Sequence, residues 1–171
     1  MDKLYVLLGA LLIVPASFAQ DVPVNAVNHT ESDTRNIYVG AGFSNKLVHL
    51  NAEWVNPYGI AYAKAGAFLS GDRVPGGQIG FRHPVYLTAT EKNGYYVGAY
   101  AGYVDRKWLD GDDEARLGAG VDLAYVMLSR DRISTFSVGV AATEKMTDST
   151  GKVIADVEPK LQFSYTLSFG L

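Results

Sequence analysis

Lys160-Leu161-Gln162-Phe163-Ser164-Tyr165-Thr166-Leu167-Ser168-Phe169-Gly170-Leu171 alternates without a break. Polar or tiny residues hold positions 160, 162, 164, 166, 168 and 170, and large apolar residues hold the positions between them. Successive side chains of a strand point to opposite faces, so this stretch is a strand with two unlike faces; a helical period could not gather the apolar set on one side. The aromatics and leucines of that side are too much apolar surface to leave in water. Two covers fit: the second sheet of a soluble sandwich, or a bilayer.

The chain upstream repeats the pattern seven times, for eight runs in all. Arg35–Phe43 places Ile37, Val39, Ala41 and Phe43 on one face and Tyr38, Gly40 and Gly42 on the other. Leu47–Trp54 sets Val48, Leu50, Ala52 and Trp54 against His49, Asn51 and Glu53. Tyr58–Leu69 sets Ala61, Ala63, Ala65, Ala67 and Leu69, the weakest apolar face, against Tyr62, Lys64 and Gly66. Gly76–Leu87 sets Ile79, Phe81, Val85 and Leu87 against Gln78, Gly80 and Arg82; Pro84, which cannot donate to a ladder, belongs at a bulge or strand end. Tyr95–Arg106 sets Tyr95, Val97, Ala99, Ala101 and Tyr103 against Tyr96, Gly98, Tyr100 and Gly102. Ala115–Leu128 sets Leu117, Ala119, Val121, Leu123, Tyr125 and Met127 against Arg116, Gly118, Gly120 and Asp122. Ile133–Glu144 sets Phe136, Val138, Val140 and Ala142 against Thr135, Ser137, Gly139 and Ala141. Turn signals at Ser44–Lys46, Asn56-Pro57, Glu91–Gly94 and Ser129–Arg132 separate the runs. Three longer polar connections are expected at Ser70–Pro75, at Leu109–Glu114 with its acidic Asp110–Glu114, and at Lys145–Pro159.

Runs of eight to fourteen residues exceed the roughly 5–6 typical of soluble sheets. They suit the roughly 9–11 tilted residues that cross a hydrocarbon layer. An even strand count with connections alternating short and long is the pattern of closed outer-membrane barrels. The second face carries tyrosine, glycine, serine, threonine and the isolated charges Glu53, Lys64, Arg82, Arg116 and Asp122. That chemistry fits the interior of an eight-stranded barrel, which is just wide enough for side chains to fill. The expected fold is therefore all-β: an eight-stranded antiparallel up-and-down transmembrane β-barrel over residues 35–171, with its apolar face toward lipid and aromatics such as Phe43, Trp54, Tyr58 and Tyr125 at the interfaces. Val121 and Val140 face lipid near its midplane, and the inward Gly139 is expected to accept serine.

The start of the chain fits export. A short charged start at Met1–Lys3, an apolar run from Leu4 to Val14, Pro15 and the small-x-small Ser17-Phe18-Ala19 form a secretory signal peptide over residues 1–19, cleaved near Ala19. The alternative, an uncleaved anchor, suffers from the shortness of the apolar run. Residues 20–34 are polar and aperiodic, a periplasmic lead-in; entry of this segment into the barrel as a plug is weakened by its lack of apolar anchors. Removing 19 of 171 residues leaves 152, one domain by length. The net charge of −3 survives because Asp2 and Lys3 cancel, and it gives no electrostatic case for nucleic acid. With no cysteine there is no disulfide framework, lipid-anchored cysteine or thiolate ligand. Eighteen glycines, eleven tyrosines and six prolines favour strands and turns over a helical bundle.

The alternating Phe163, Tyr165, Leu167 and Phe169 resemble the C-terminal insertion signal of outer-membrane barrels, although Leu171 stands where a terminal phenylalanine is usual. The whole mature chain is similar in architecture to small eight-stranded outer-membrane proteins of the OmpA-domain, OmpX or Opa type. That resemblance implies the outer membrane of a Gram-negative bacterium, contact with outer-membrane lipid and lipopolysaccharide, insertion by the barrel assembly machinery, and a monomer. No motif singles out one family, so no family-specific site residue carries over.

Motifs for chemistry are weak. Lipid A deacylases of the PagL type use a His-x-Ser pair, but Val85 follows His83-Pro84. PagP-like palmitoyl transferases use a histidine with an adjacent Asp-Ser; Asp148-Ser149 is such a dipeptide, in the longest loop with nothing to hold a base beside it. His49 beside Asn51 and Glu53 on one face could bind a metal, but no second histidine accompanies it, and an internal hydrogen-bond network is the expected role. Asp110–Glu114 lacks the calcium-loop pattern. The expected interior polar network is His49, Asn51, Glu53, Lys64, Arg82, Tyr96, Tyr100, Arg116 and Asp122, with two acids nearly neutralising three bases. The chain is thus expected to be a non-enzymatic barrel with a filled polar interior, no metal or cofactor, and external loops for envelope or partner contact. The alternatives are a narrow channel for ions or small solutes, and a lipid A-modifying enzyme.

Overall fold

The computed structural model describes residues 35–45, 47–69, 74–88, 92–109, 112–147 and 153–171. The expected signal peptide 1–19, the lead-in 20–34 and Asp148-Ser149 lie outside these residues. Ten strands are described: β1 (Ile37–Ser44), β2 (Leu47–Asn56), β3 (Gly59–Phe68), β4 (Pro75–Leu87), β5 (Gly94–Leu109), β6 (Asp112–Leu128), β7 (Arg132–Thr143), β8 (Met146–Thr147), β9 (Val153–Ala155) and β10 (Pro159–Gly170). Eight of them, β1–β7 and β10, close into an antiparallel up-and-down barrel in chain order, with β10 pairing back onto β1. The short β8 and β9 pair only with each other.

The faces follow the sequence alternation. In β2 burial alternates residue by residue, with Leu47, His49, Asn51, Glu53 and Val55 inside and Val48, Leu50, Ala52 and Trp54 outside. Pro84 sits at the bulge where β4 slips against β5, as its missing N–H requires. The β1–β2 hairpin turns on Asn45, whose φ of 46° is left-handed; asparagine tolerates that region better than most residues. Its side chain also locks β10: Asn45 Nδ2 donates to the Leu161 carbonyl at 2.9 Å and Asn45 Oδ1 accepts from Phe163 N–H at 2.8 Å. At the β2–β3 turn Asn56 Oδ1 accepts from Tyr58 N–H, and Gly59 takes a φ of 153° with the Arg82 carbonyl only 2.1 Å from where a Cβ would stand.

The register fixes the tilt. From Phe43 on β1, one way round the barrel passes Val48 and Ala67 to Pro75 on β4. The other way passes Tyr165, Phe136, Tyr125 and Tyr95 to Tyr86, also on β4. These end points are eleven residues apart, one of them contributed by the bulge at Pro84/Tyr86. A stagger of about ten residues at ~3.3 Å each, against eight strands ~4.7 Å apart, gives a tilt of about 41°, within the range of closed barrels.

Two loop expectations need correcting. Leu109 and Asp112–Glu114 are strand and not loop: the β5–β6 ladder continues to Leu109↔Asp112. The neighbouring ladders stop earlier, at Gln78↔Gly102 and Gly118↔Thr143, so this hairpin runs past the barrel as a two-stranded ribbon. Its acids look loop-like because they offer no apolar face, but a ribbon clear of the barrel needs none, and Asp110-Gly111 is itself a two-residue hairpin signal. Lys145–Pro159 likewise is not wholly irregular, since it contains the β8–β9 ribbon.

Candidate functional site

All nine residues of the expected interior network are buried inside the barrel, none more than 7% exposed. They do not all join one network. His49, Lys64, Arg82 and Asp122 connect through Ser44, Ser164 and Ser137, the last two with hydroxyls 2.8 Å apart, while Asn51 and Glu53 meet at Ser168. Arg82 and Asp122 pair directly, with Arg82 Nη2 at 2.7 Å and Nε at 3.2 Å from Asp122 Oδ2. Arg82 also donates to Ser137 Oγ at 3.3 Å and lies 4.4 Å from the Tyr62 ring centre. Glu53 Oε2 accepts from Ser168 Oγ at 2.8 Å, and Ser168 in turn accepts from Asn51 Nδ2 at 2.7 Å. Lys64 Nζ donates to Ser44 Oγ and Ser164 Oγ at 3.4 and 3.3 Å, and His49 Nε2 lies 3.2 Å from Ser44 Oγ.

The expected near-neutral pairing of five charges is therefore corrected. Among the described residues, Arg82–Asp122 is the buried ion pair, and Lys64 and Glu53 turn to hydroxyls instead. Among the described residues Arg116 has no acid side chain as a partner either: its Nη2 donates to the Glu144 and Asp156 carbonyls at 2.6 and 2.9 Å. It thereby ties both ends of the β8–β9 segment to the barrel wall. Serines on β1, β7 and β10 can play this part because a buried charge needs hydrogen bonds as much as a counter-charge.

Tyr96 belongs elsewhere again. It lies at the short-turn end in an apolar cluster with Tyr38, Val55, Ile60, Ala124, Val126, Leu128 and Ile133, and its hydroxyl donates to the Lys92 carbonyl at 2.7 Å. The barrel interior is thus layered: apolar at the short-turn end, polar in the middle. Sequence alternation missed the apolar layer because it read each strand as polar on one side throughout. The signal was present in Leu123-Ala124-Tyr125-Val126-Met127-Leu128, a run apolar at every position and so covered on both faces.

Glycines make room for the middle layer. Tyr62 crosses Gly80, Tyr100 crosses Gly120, and Asp122 Oδ1 lies 2.2 Å from where a Gly98 Cβ would stand. Gly139 does not accept serine as expected: a Cβ there would meet the Val121 carbonyl oxygen at 2.3 Å and Asp122 Cβ at 2.8 Å. Between these groups lies a cavity of about 10 Å³ lined by Ser44, Tyr62, Lys64, Gln78, Tyr100, Asp122, Ser137, Gln162 and Ser164. That is about the room of a single water molecule.

The outer face is the opposite of the inner one. Leu50, Ile79, Phe136, Val140, Leu161, Phe163, Phe169 and Leu171 are all exposed, and Tyr165 and Leu167 of the same strand are half-buried. Phe43, Tyr165, Phe136, Tyr125, Tyr95 and Tyr86 occupy one row of paired positions, and in Phe43–Tyr165, Tyr165–Phe136, Tyr125–Tyr95 and Tyr95–Tyr86 the ring centres lie 4.5 to 6.5 Å apart. Since the strands tilt, this row climbs diagonally from the loop end of β1 to the β4–β5 turn. His83 points outward, its Nδ1 donating to the Tyr58 carbonyl at 2.8 Å, and Val85 is exposed beside it. Among the described residues no group of three His, Asp or Glu side chains is placed to hold a metal ion. No family model, curated protein or solved structure matches the chain.

Proposed function

We propose that this protein is a small, non-enzymatic outer-membrane β-barrel of OmpA-domain, OmpX or Opa-like architecture. Its sealed interior serves structure, and its long-loop end meets the envelope or a partner. The observation that carries this is the inversion of the barrel: charges and amides are buried inside while large apolar side chains are exposed all round outside. In water that arrangement would expose far more contiguous apolar surface than a soluble monomer carries. In a bilayer each exposed side chain has its solvent. On β6 the outward residues from Leu117 to Met127 rise about 25 Å along the axis at the tilt found above, matching the apolar band of outer-membrane barrels.

A sealed interior is supported by two features, the apolar layer at the short-turn end and the small volume, about 10 Å³, of the cavity in the middle. Nothing comparable favours a channel or a lipid-modifying enzyme. On this proposal the protein sits in the outer membrane of a Gram-negative bacterium as a monomer, inserted by the barrel assembly machinery and surrounded by phospholipid and lipopolysaccharide. Loops on a rigid scaffold are the usual place for recognition, so the β5–β6 and β8–β9 ribbons are the surfaces assigned to partner contact.

The test is membrane fractionation followed by electrophoresis of unboiled and boiled samples. The expected result is an outer-membrane protein whose mobility changes on boiling, with no conductance in planar bilayers. Recovery as a soluble periplasmic protein would overturn the membrane reading, and steady single-channel currents would overturn the sealed one.

A further inference from the structure

We propose that the cavity in the middle of the barrel is a binding site for one long-lived water molecule. Two buried polar atoms of its lining have no hydrogen-bond partner among the described residues: Tyr100 Oη and Asp122 Oδ1. A third group, Lys64 Nζ, has three protons to donate and makes two hydrogen bonds, both long, to Ser44 and Ser164. Two donors and one acceptor without full satisfaction, on the wall of one small cavity, are the partners a water needs. Such a water accepts from Tyr100 and Lys64 and donates to Asp122, the three hydrogen bonds typical of buried waters.

Size and charge both select water over other guests. The volume of about 10 Å³ admits a single small molecule. The groups of the middle layer that ordinarily carry charge are Lys64, Arg82, Glu53 and Asp122; their charges cancel with His49 neutral, so a neutral dipole suits the site better than an ion. The cost of leaving these groups dry is the second argument, because an unmet buried donor or acceptor keeps its full desolvation penalty. The apolar cluster around Tyr38, Ile60 and Leu128 lies toward the short-turn end and offers an escaping water no hydrogen bonds on that side.

This deepens the sealed-barrel proposal and rests on it, but conductance tests the sealing and water residence tests the site, so the two fail separately. The experiment is magnetic relaxation dispersion of the water oxygen on the detergent-solubilised protein, compared with Ser137→Val, which fills the cavity, and Tyr100→Phe, which removes one donor. The wild type is expected to hold one long-lived water. Ser137→Val is expected to lose it, and Tyr100→Phe to shorten its residence about tenfold, as loss of one hydrogen bond requires. If Ser137→Val does not fold, Tyr100→Phe alone decides. A wild type with no long-lived water, or a residence unchanged in a folded variant, overturns the proposal. So does a signal that is displaced by halide or ammonium salts, which would mark an ion site.

Discussion

Replacing Asp122 with alanine should be the most damaging single change inside the barrel. Arg82 is 1% exposed and the Asp122 side chain 5%, so neither charge can turn to bulk solvent. The substitution removes two charge-assisted hydrogen bonds, at 2.7 and 3.2 Å, and leaves the guanidinium with Ser137 Oγ and the face of Tyr62. Orphaning one member of a buried pair costs about 3–5 kcal/mol. The remaining cation–π contact offsets part of that, so the expected loss is about 3–4 kcal/mol. Asp122→Asn keeps an acceptor beside Arg82 and should cost only about 1–2 kcal/mol. The double variant Arg82→Met, Asp122→Ala removes both charges and should recover most of the loss, since apolar replacement of a whole buried pair is often neutral. Urea titrations of the refolded barrel in lipid vesicles, followed by tryptophan fluorescence, give all three values and the coupling between the sites. A loss below about 1 kcal/mol for Asp122→Ala would mean that water reaches Arg82. A double variant no better than the single one would mean that packing, and not an orphaned charge, sets the cost.

Val140→Arg, at an outward position 51% exposed, should destabilise by about 2–4 kcal/mol in vesicles; a folding free energy equal to wild type would place that face in water. Gly139→Ser should cost about 1–3 kcal/mol because the new Cβ must push β6 away at Val121, and the same titration checks it. Arg116→Ala should free the Glu144 and Asp156 carbonyls, costing about 1–3 kcal/mol and speeding protease cleavage between residues 144 and 158; unchanged cleavage kinetics would show that Arg116 does not anchor this segment.

The alternation of single residues was legible because strand geometry is local. His49, Asn51 and Glu53 are inward for the same reason that Val48, Leu50 and Ala52 are outward, and Pro84 announced its bulge through chemistry it carries itself. What depends on register was not legible. Arg82 meets Asp122 from β4 to β6, and Lys64 meets Ser164 from β3 to β10; no property of the single residues chooses these partners over the other charges. The length of the β5–β6 ribbon is likewise a fact about pairing rather than composition, and acids that look like loop in one dimension form a ladder in three. The diagonal aromatic row could not be seen either, because its six members come from six strands and become neighbours only through the stagger.

Closure of β10 onto β1 also sets a schedule. Every other ladder of the barrel joins strands that follow one another round it in chain order, with only the β8–β9 ribbon interposed between β7 and β10, while Tyr38↔Gly170 joins residues 132 positions apart. Bringing such distant segments together carries a loop-closure entropy that must be met before the pairing returns anything, and non-local pairings of this kind slow folding. Until β10 is in place, β1 and β7 are both open edges, each a template for a stray strand. Asn45 lies at the tip of the first hairpin, with side-chain and main-chain groups that bond Leu161 and Phe163. That makes it a natural first contact for the arriving strand, from which the ladder can zip toward Gly170. Slowing of insertion by Asn45→Ala, with little change in the unfolding rate, would be the kinetic mark of such a latch.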